Sequence, residues 1–354
     1  MTTAERETLR QLPKAELHLH LEGSLSPATL WQLAQRQEYP FGLDSPAACE
    51  RLYQFDDFAG FIRAIKTASQ LLRDPVDYAD AVTALARQLR TQGVVYAEVF
   101  FSVGILLWRG VAVEPYWEAA EAARHAAEAA TGVRLRWIFD AVRQFGAAHL
   151  DQVVEWALRL APSGAVLGIG IGGDETQRAA AEFASGYARA RAHGLRTTIH
   201  AGETCGPASI WDALTHLQPD RIGHGIHAAE DPRLMDELAR RQIALDLCPT
   251  SNFKTGAWKG ASPHPIRAFY DRGLRLSVST DDPGIFACTL LGEYEWLATH
   301  AGFSPAELHR LAAASFTYGF LDPAPLSPPS WRALRSGRES SAPARPRLDK
   351  TRGH

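Results

Sequence analysis

Thr197-Thr198-Ile199-His200-Ala201-Gly202-Glu203 is a β-branched run that ends in a histidine, passes two small residues and reaches a carboxylate. β-Branched side chains favour extended backbone, so the stretch predicts a strand over Arg196–His200. That strand presents His200 at its tip and an acid three residues later. A strand end followed by an ordinary turn would account for the same letters. The neighbouring segments decide between the two readings.

Similar short apolar segments recur along the chain, each followed by a helical pattern. Strands are predicted at Ala15–Leu21, Val94–Ser102, Leu135–Val142, Val166–Gly172, Arg196–His200, Arg221–Gly225, Ile243–Leu247 and Arg275–Ser279. Several are nearly continuous apolar runs, as a parallel sheet buried on both faces requires. Eight strands alternating with helices predict an α/β fold, a closed (β/α)8 TIM barrel. An open doubly wound sheet would place a glycine-rich phosphate turn after the first strand, and none is present. Ser26-Pro27, Asp231-Pro232 and Ser304-Pro305 each set a capping side chain before a proline at the first helical position. Pro115–Ala130 and Thr176–His193 read as outer helices. The mixed stretch 37–61 is expected to be an insertion over the barrel mouth, a lid. One domain is expected over 1–321, with a Pro/Arg/Ser-rich disordered tail over 322–354.

The bulk properties agree. Of 354 residues, 46% are hydrophobic and 22% charged, the balance of a globular enzyme. A net charge of −3 argues against a nucleic-acid partner. Cys49, Cys205, Cys248 and Cys288 form no Cys-x-x-Cys pair, so free thiols in a reducing compartment are expected. Met1–Arg10 is polar and charged, unlike a signal peptide, and no apolar run approaches a membrane span. We therefore expect a soluble, cytoplasmic protein with no membrane partner. Oligomeric state has no signature in the sequence.

Chemistry-bearing residues collect at the carboxyl ends of the predicted strands, the face where barrel active sites lie. The first strand ends Glu16-Leu17-His18-Leu19-His20-Leu21-Glu22-Gly23, and residues two apart in a strand point to one side. His18 and His20 can therefore form half of a zinc shell. The sixth ends Arg221-Ile222-Gly223-His224-Gly225, and the eighth runs into Ser279-Thr280-Asp281-Asp282-Pro283-Gly284. Taken singly, these are a chance His-x-His, a core histidine and a solvated acidic cap. Three histidines and an aspartate at one mouth would make a catalytic metal site with room left for water. Two-metal barrels of this kind often use a bridging carboxylated lysine near the fourth strand. No lysine occurs between Lys66 and Lys254, so a single metal is expected.

In this order, Pro13–Gly23, Gly173-Asp174-Glu175, His200-Ala201-Gly202-Glu203, Arg221–Gly225, Cys248-Pro249-Thr250-Ser251-Asn252 and Ser279–Pro283 resemble the adenosine deaminase family of zinc aminohydrolases, over roughly residues 10 to 320. The resemblance implies hydrolytic deamination at C6 of a 6-aminopurine nucleoside, a small-molecule partner. It also implies that His18, His20, His200 and Asp281 bind one Zn2+. Glu203 would be the proton shuttle and His224 would orient the attacking water. Asp282 would contact purine N7, and the Gly173 amide N3.

Two departures bear on the substrate. Adenosine enzymes commonly carry Asp where this chain has Glu22, and Arg-His where it has Arg143-Gln144, both near the ribose 5′-hydroxyl. Relatives acting on free adenine share the Glu22 variant but usually have Asp in place of Gly223 and Leu in place of Thr250. Phe101-Ser102-Val103-Gly104 with Arg143-Gln144 looks more like the branch acting on 6-aminodeoxyfutalosine, an adenosine analogue extended at 5′ in menaquinone synthesis. Glu22, Arg143 and Gln144 are thus expected in the substrate's 5′ pocket. Adenine deamination is the alternative. A zinc amidohydrolase of esters or amides and a non-catalytic binding protein on the same barrel are remoter. A cytidine-deaminase-type site fails, since Cys248 has no second cysteine near it.

Overall fold

The computed structural model describes residues 2–259 and 263–321. Eight parallel strands follow one another round a single sheet: β1 (Lys14–His20), β2 (Val94–Phe101), β3 (Arg134–Val142), β4 (Val166–Gly172), β5 (Arg196–Ala201), β6 (Arg221–His224), β7 (Ala244–Leu247) and β8 (Arg275–Val278). Each predicted strand is present, displaced by at most a residue or two at its ends. The sheet closes just beyond β8, where the Asp281 N–H donates to the His18 carbonyl (3.1 Å) and the His20 N–H to the Asp281 carbonyl (2.8 Å). The helix Pro305–Tyr318 packs over this seam against both β1 and β8. The fold is the (β/α)8 barrel expected from the alternation of elements.

Strand side chains are almost wholly buried on both faces, which is why the sequence shows apolar runs in place of alternation. Low in the barrel, Arg221 lies between Glu98 (2.7 Å) and Asp246 (2.9 Å) and donates to the Leu17 carbonyl. A guanidinium with this set of acceptors can be buried without an unmet charge. The three proline-marked helices start as read: Ser26, Asp231 and Ser304 each accept an N–H of the first turn, and Glu307 completes a capping box with Ser304.

One helix differs from expectation. Thr176–His193 is not continuous: a turn precedes a short 3-10 segment (Ala180–Phe183) and the helix Ala184–Ala192. Asp174 accepts from the Thr176 N–H, the Thr176 hydroxyl and the Gln177 amide, a local alternative to helical bonding. Within 37–61 lie a tight turn (Pro40–Gly42), the helix Pro46–Leu52 and the first turn of the helix Phe58–Leu71, capped by Asp57. The tail call, 322–354, falls outside the described residues. Among the described residues no helix is long and apolar enough to cross a membrane.

Candidate active site

At the C-terminal mouth the ends of β1, β5 and β8 bring His18, His20, His200 and Asp281 together, their ligand atoms all within 4.8 Å of one another. Nε2 of His20 and of His200 are 3.2 Å apart, and Asp281 Oδ1 lies 3.4 Å from His18 Nε2 and 3.5 Å from His20 Nε2. Four donors held roughly 2.0–2.1 Å from one ion in a tetrahedron would be about 3.3–3.4 Å from each other. The spacing therefore fits a first-row divalent metal.

The electronics fit as well. Burial, reinforced by neighbouring imidazoles, lowers His18 and His20 to about 3 and His200 well below its ordinary value, so all three are neutral and carry lone pairs. His200 Nδ1 bonds the Ile171 carbonyl at 2.9 Å; a carbonyl only accepts, so the proton is on Nδ1 and Nε2 is free to bind metal. Burial alone would raise Asp281, but its contact with the His18 ring and the close approach of His224 and His20 hold it below the usual carboxylate range. Its other oxygen accepts from the Ser251 hydroxyl at 2.7 Å. Both ring nitrogens of His18 are buried without a hydrogen-bond partner. The donor set and the negative charge crowded at the mouth suit a cation.

Several backbone features place these groups. His224 and Asp281 both have left-handed backbone, φ 61° and 66°. Such strain in non-glycine residues gathers at functional sites, and here it aims both side chains at one point. A Cβ on Gly223 would come 2.5 Å from the His18 ring, so with this placement of the imidazole any larger residue forces one of the two to shift.

Beside the ligand cluster stand Glu203 and His224, with His224 Nε2 3.7 Å from Glu203 Oε2 and 4.0 Å from Asp281 Oδ2. Burial raises the Glu203 carboxyl to about 7. Burial, then the Asp281 and Glu203 charges, raise Asp282 well above the usual range, and its Oδ1 is buried without a partner. The cavity in front, about 460 Å3, is lined by residues of the ligand cluster, by Glu22, Gln144 and Gly173, and by an apolar wall of Phe58, Ile65, Trp108 and Phe145. Only Phe58 and Phe61 of the stretch 37–61 reach this wall; the helix continuing to Leu71 supplies the rest of that side.

Sequence reasoning placed Arg143 in the 5′ pocket, but the structure turns it away from the cavity. Its guanidinium donates to the carbonyls of Arg178 (2.9 Å) and His200 (2.8 Å), bracing the end of β5. The neighbouring Gln144 does line the cavity, close against Gly173. Four residues of the site were missed. Glu175 accepts from the backbone N–H groups of Gly202, Glu203, Thr204 and Cys205 and from the Ser209 hydroxyl, so it shapes the loop carrying Glu203. Its place in the Gly-Asp-Glu motif was the available signal. Asn252 and His264 line up behind His224, and Asp140 lines the cavity from β3; Asn252 ends the Cys-Pro-Thr-Ser-Asn motif, whereas no local pattern marks His264 or Asp140.

A closed barrel whose mouth combines neutral imidazoles, an ionised carboxylate and a protonatable acid defines a metal-dependent hydrolase. Comparison with known proteins narrows the class. A family model described as adenosine deaminase matches residues 13–325. Aminodeoxyfutalosine deaminase of Streptomyces avermitilis is 39% identical over 315 residues, covering 88% of each chain. Adenine deaminase of Sinorhizobium fredii is 34% identical, covering 88% of this chain and 95% of its own. In solved structures, adenine deaminase from Arthrobacter aurescens superposes with a TM-score of 0.83 at 29% identity, covering 92% of this chain and 97% of that one. An amidohydrolase from Burkhoderia ambifaria with bound Zn gives 0.85 at 26% identity, covering 96% and 93%. The chain belongs to the adenosine deaminase family, and is a hydrolase of C–N bonds in cyclic amidines.

Proposed function

We propose that the protein removes the C6 amino group of a 6-aminopurine nucleoside with water, giving the 6-oxo purine and ammonia, with one zinc ion held by His18, His20, His200 and Asp281. The observation that carries this reading is the adjacency of a protonatable acid, Glu203, to His224 and Asp281 at the rim of the ligand cluster. When bound, zinc supplies a nucleophile at neutral pH by lowering the pKa of water from about 15.7 to roughly 7.

The chain's own residues do the rest. Purine N1, N3 and N7 are all acceptors, so the site must offer three donors. Glu203, raised to about 7, can hold a proton for N1; protonation there draws electron density from C6 and lets water add. The adding water gives a proton to the carboxylate this leaves; as the C6–N bond breaks, the same carboxyl passes that proton to the leaving amino group as ammonia, and the C6 hydroxyl proton returns to Glu203 as the 6-oxo group forms. Asp282, kept protonated by its surroundings, donates to N7, and the Gly173 N–H to N3. His224 holds the attacking water in line.

The 39% identical aminodeoxyfutalosine deaminase and a cavity extending beyond Glu22 and Gln144 support a nucleoside enlarged at 5′. Adenine is the second reading, favoured by the adenine deaminases among the relatives. Four free cysteines support a reducing, cytoplasmic setting. Catalytic efficiencies on adenosine, adenine and 6-aminodeoxyfutalosine decide: a clear preference for adenine overturns the nucleoside reading.

A further inference from the structure

Asp140 stands in the C-terminal half of β3, paired in register with Gly170. It is buried, it lines the active-site cavity, and it faces Glu22 from the end of β1. Ser102 lies between them: its N–H donates to Glu22 Oε1 at 3.1 Å, and its side chain stands close to both carboxyls. The remaining oxygens, Glu22 Oε2 and Asp140 Oδ1, are buried and have no hydrogen-bond partner. Two unmet carboxyl oxygens on one cavity wall are an unusual pair, because buried acceptors nearly always find donors.

Their position identifies the donor, given the purine orientation proposed above, on which this step rests. Asp282 faces N7 from beyond β8, and Gly173 faces N3 from beyond β4. In a purine, N9 lies on the edge between N7 and N3. A substituent on N9 therefore points toward the ends of β1, β2 and β3, where Glu22, Ser102 and Asp140 stand. A free base brings no hydroxyl there, whereas a ribosyl group brings several.

We infer that Asp140, together with Glu22, accepts hydrogen bonds from the substrate's sugar hydroxyls and so selects a nucleoside over a free base. Burial, then the Glu22 charge, also raise the Asp140 carboxyl well above the usual range, so it can serve as donor as well as acceptor.

The test uses the zinc-loaded full chain. Catalytic efficiency is measured on adenosine, on its 2′-deoxy, 3′-deoxy and 5′-deoxy analogues, and on adenine, for wild type, Asp140→Ala and Asp140→Leu. Calorimetry gives the affinity of each protein for inosine and hypoxanthine, so binding is read even without turnover. At least one hydroxyl deletion should cost the wild type about tenfold, the scale of one hydrogen bond to a charged or polar partner. In Asp140→Ala that cost should collapse to under about threefold, and the inosine-to-hypoxanthine affinity ratio should fall by a similar factor. Should every deletion cost the variants as much as the wild type, or none cost the wild type anything, the assignment is overturned. Failure of the deaminase reading itself looks different: no purine releases ammonia, while the inosine affinity still reports on Asp140. Metal content and melting temperature identify a misfolded variant, and Asp140→Leu, close in size but without hydrogen-bonding groups, then carries the comparison with the same expected collapse.

Discussion

Asn252 donates its Nδ2–H to Nδ1 of His224 across 3.1 Å, and this bond decides which ring nitrogen faces the reaction. The orientation of Asn252 is set from behind. The Ile266 backbone N–H donates to His264 Nδ1 (3.3 Å), leaving the His264 proton on Nε2, which donates to Asn252 Oδ1 (3.1 Å). A backbone N–H cannot accept, so the direction of the whole chain follows from it. His224 is thereby held with its proton on Nε2, toward Glu203 and Asp281. Replacing His264 by Leu frees the Asn252 amide to turn over. The turnover number should fall about 10–100-fold, as for other outer-shell partners, with KM little changed. His264→Gln, which keeps an N–H donor, should recover most of the rate. Nitrogen NMR of the His224 ring checks the cause; an unchanged tautomer in His264→Leu would refute it.

The same histidine makes a pH prediction. Burial lowers His264 from the ordinary 6.5 to about 3. Between those values the unfolded chain binds a proton that the folded chain does not. Stability therefore rises with pH across this window and is lost as pH falls from about 6.5 toward 3. His264→Gln should flatten the acid limb of a urea-unfolding profile by up to one proton, about 1.4 kcal/mol per pH unit. Parallel acid limbs in the two proteins would count against it.

Glu203 and Asp281 should separate by phenotype. Glu203→Gln keeps the shape but loses the transferable proton, so turnover should drop by about 10²–10⁴ while zinc stays bound. Asp281→Ala removes a metal ligand and should lose zinc along with activity. Metal analysis beside steady-state rates distinguishes them; near-normal turnover in Glu203→Gln would show the proton shuttle to be elsewhere.

Gly223→Ala places a methyl 2.5 Å from the His18 ring, against a residue that is fully buried. The imidazole must shift, so zinc content after dialysis against a weak chelator should fall below that of wild type, with the barrel still folded by circular dichroism. Full retention of zinc would show that His18 has room to move.

Glu175→Ala should leave four backbone N–H groups of the β5 loop and the Ser209 hydroxyl without their acceptor. An unmet buried polar group costs about 1–3 kcal/mol, so a loss of stability in that range, together with most of the activity, is expected in denaturant unfolding and rate assays. Glu175 bonds none of the four proposed ligand side chains, so metal content should match that of wild type.

Much of this was written in the chain. Nearly continuous apolar runs marked the strands to within a residue or two, because burial on both faces of a parallel barrel leaves that composition. His18, His20, His200, Glu203, His224 and Asp281 were legible because barrel strands run in one direction, so every strand end belongs to the same face. The pairing of Arg143 with Gln144 misled: adjacent in sequence, they diverge at the end of β3, where one side chain goes to backbone carbonyls and the other to the cavity.

By itself, then, the sequence determined the barrel and the residues at its mouth, since those follow from local periodicity and strand direction; the reaction class was carried by the resemblance of its motifs to a family. Only the tertiary structure decided what those residues are chemically. The tautomer of His224 depends on Asn252 and His264, 28 and 40 positions along the chain; the raised pKa of Glu203 depends on burial by its surroundings; and the meeting of Asp140 with Glu22 joins two strand ends more than a hundred residues apart. Hydrogen-bond direction and desolvation are properties of neighbours in space, and no local pattern records them.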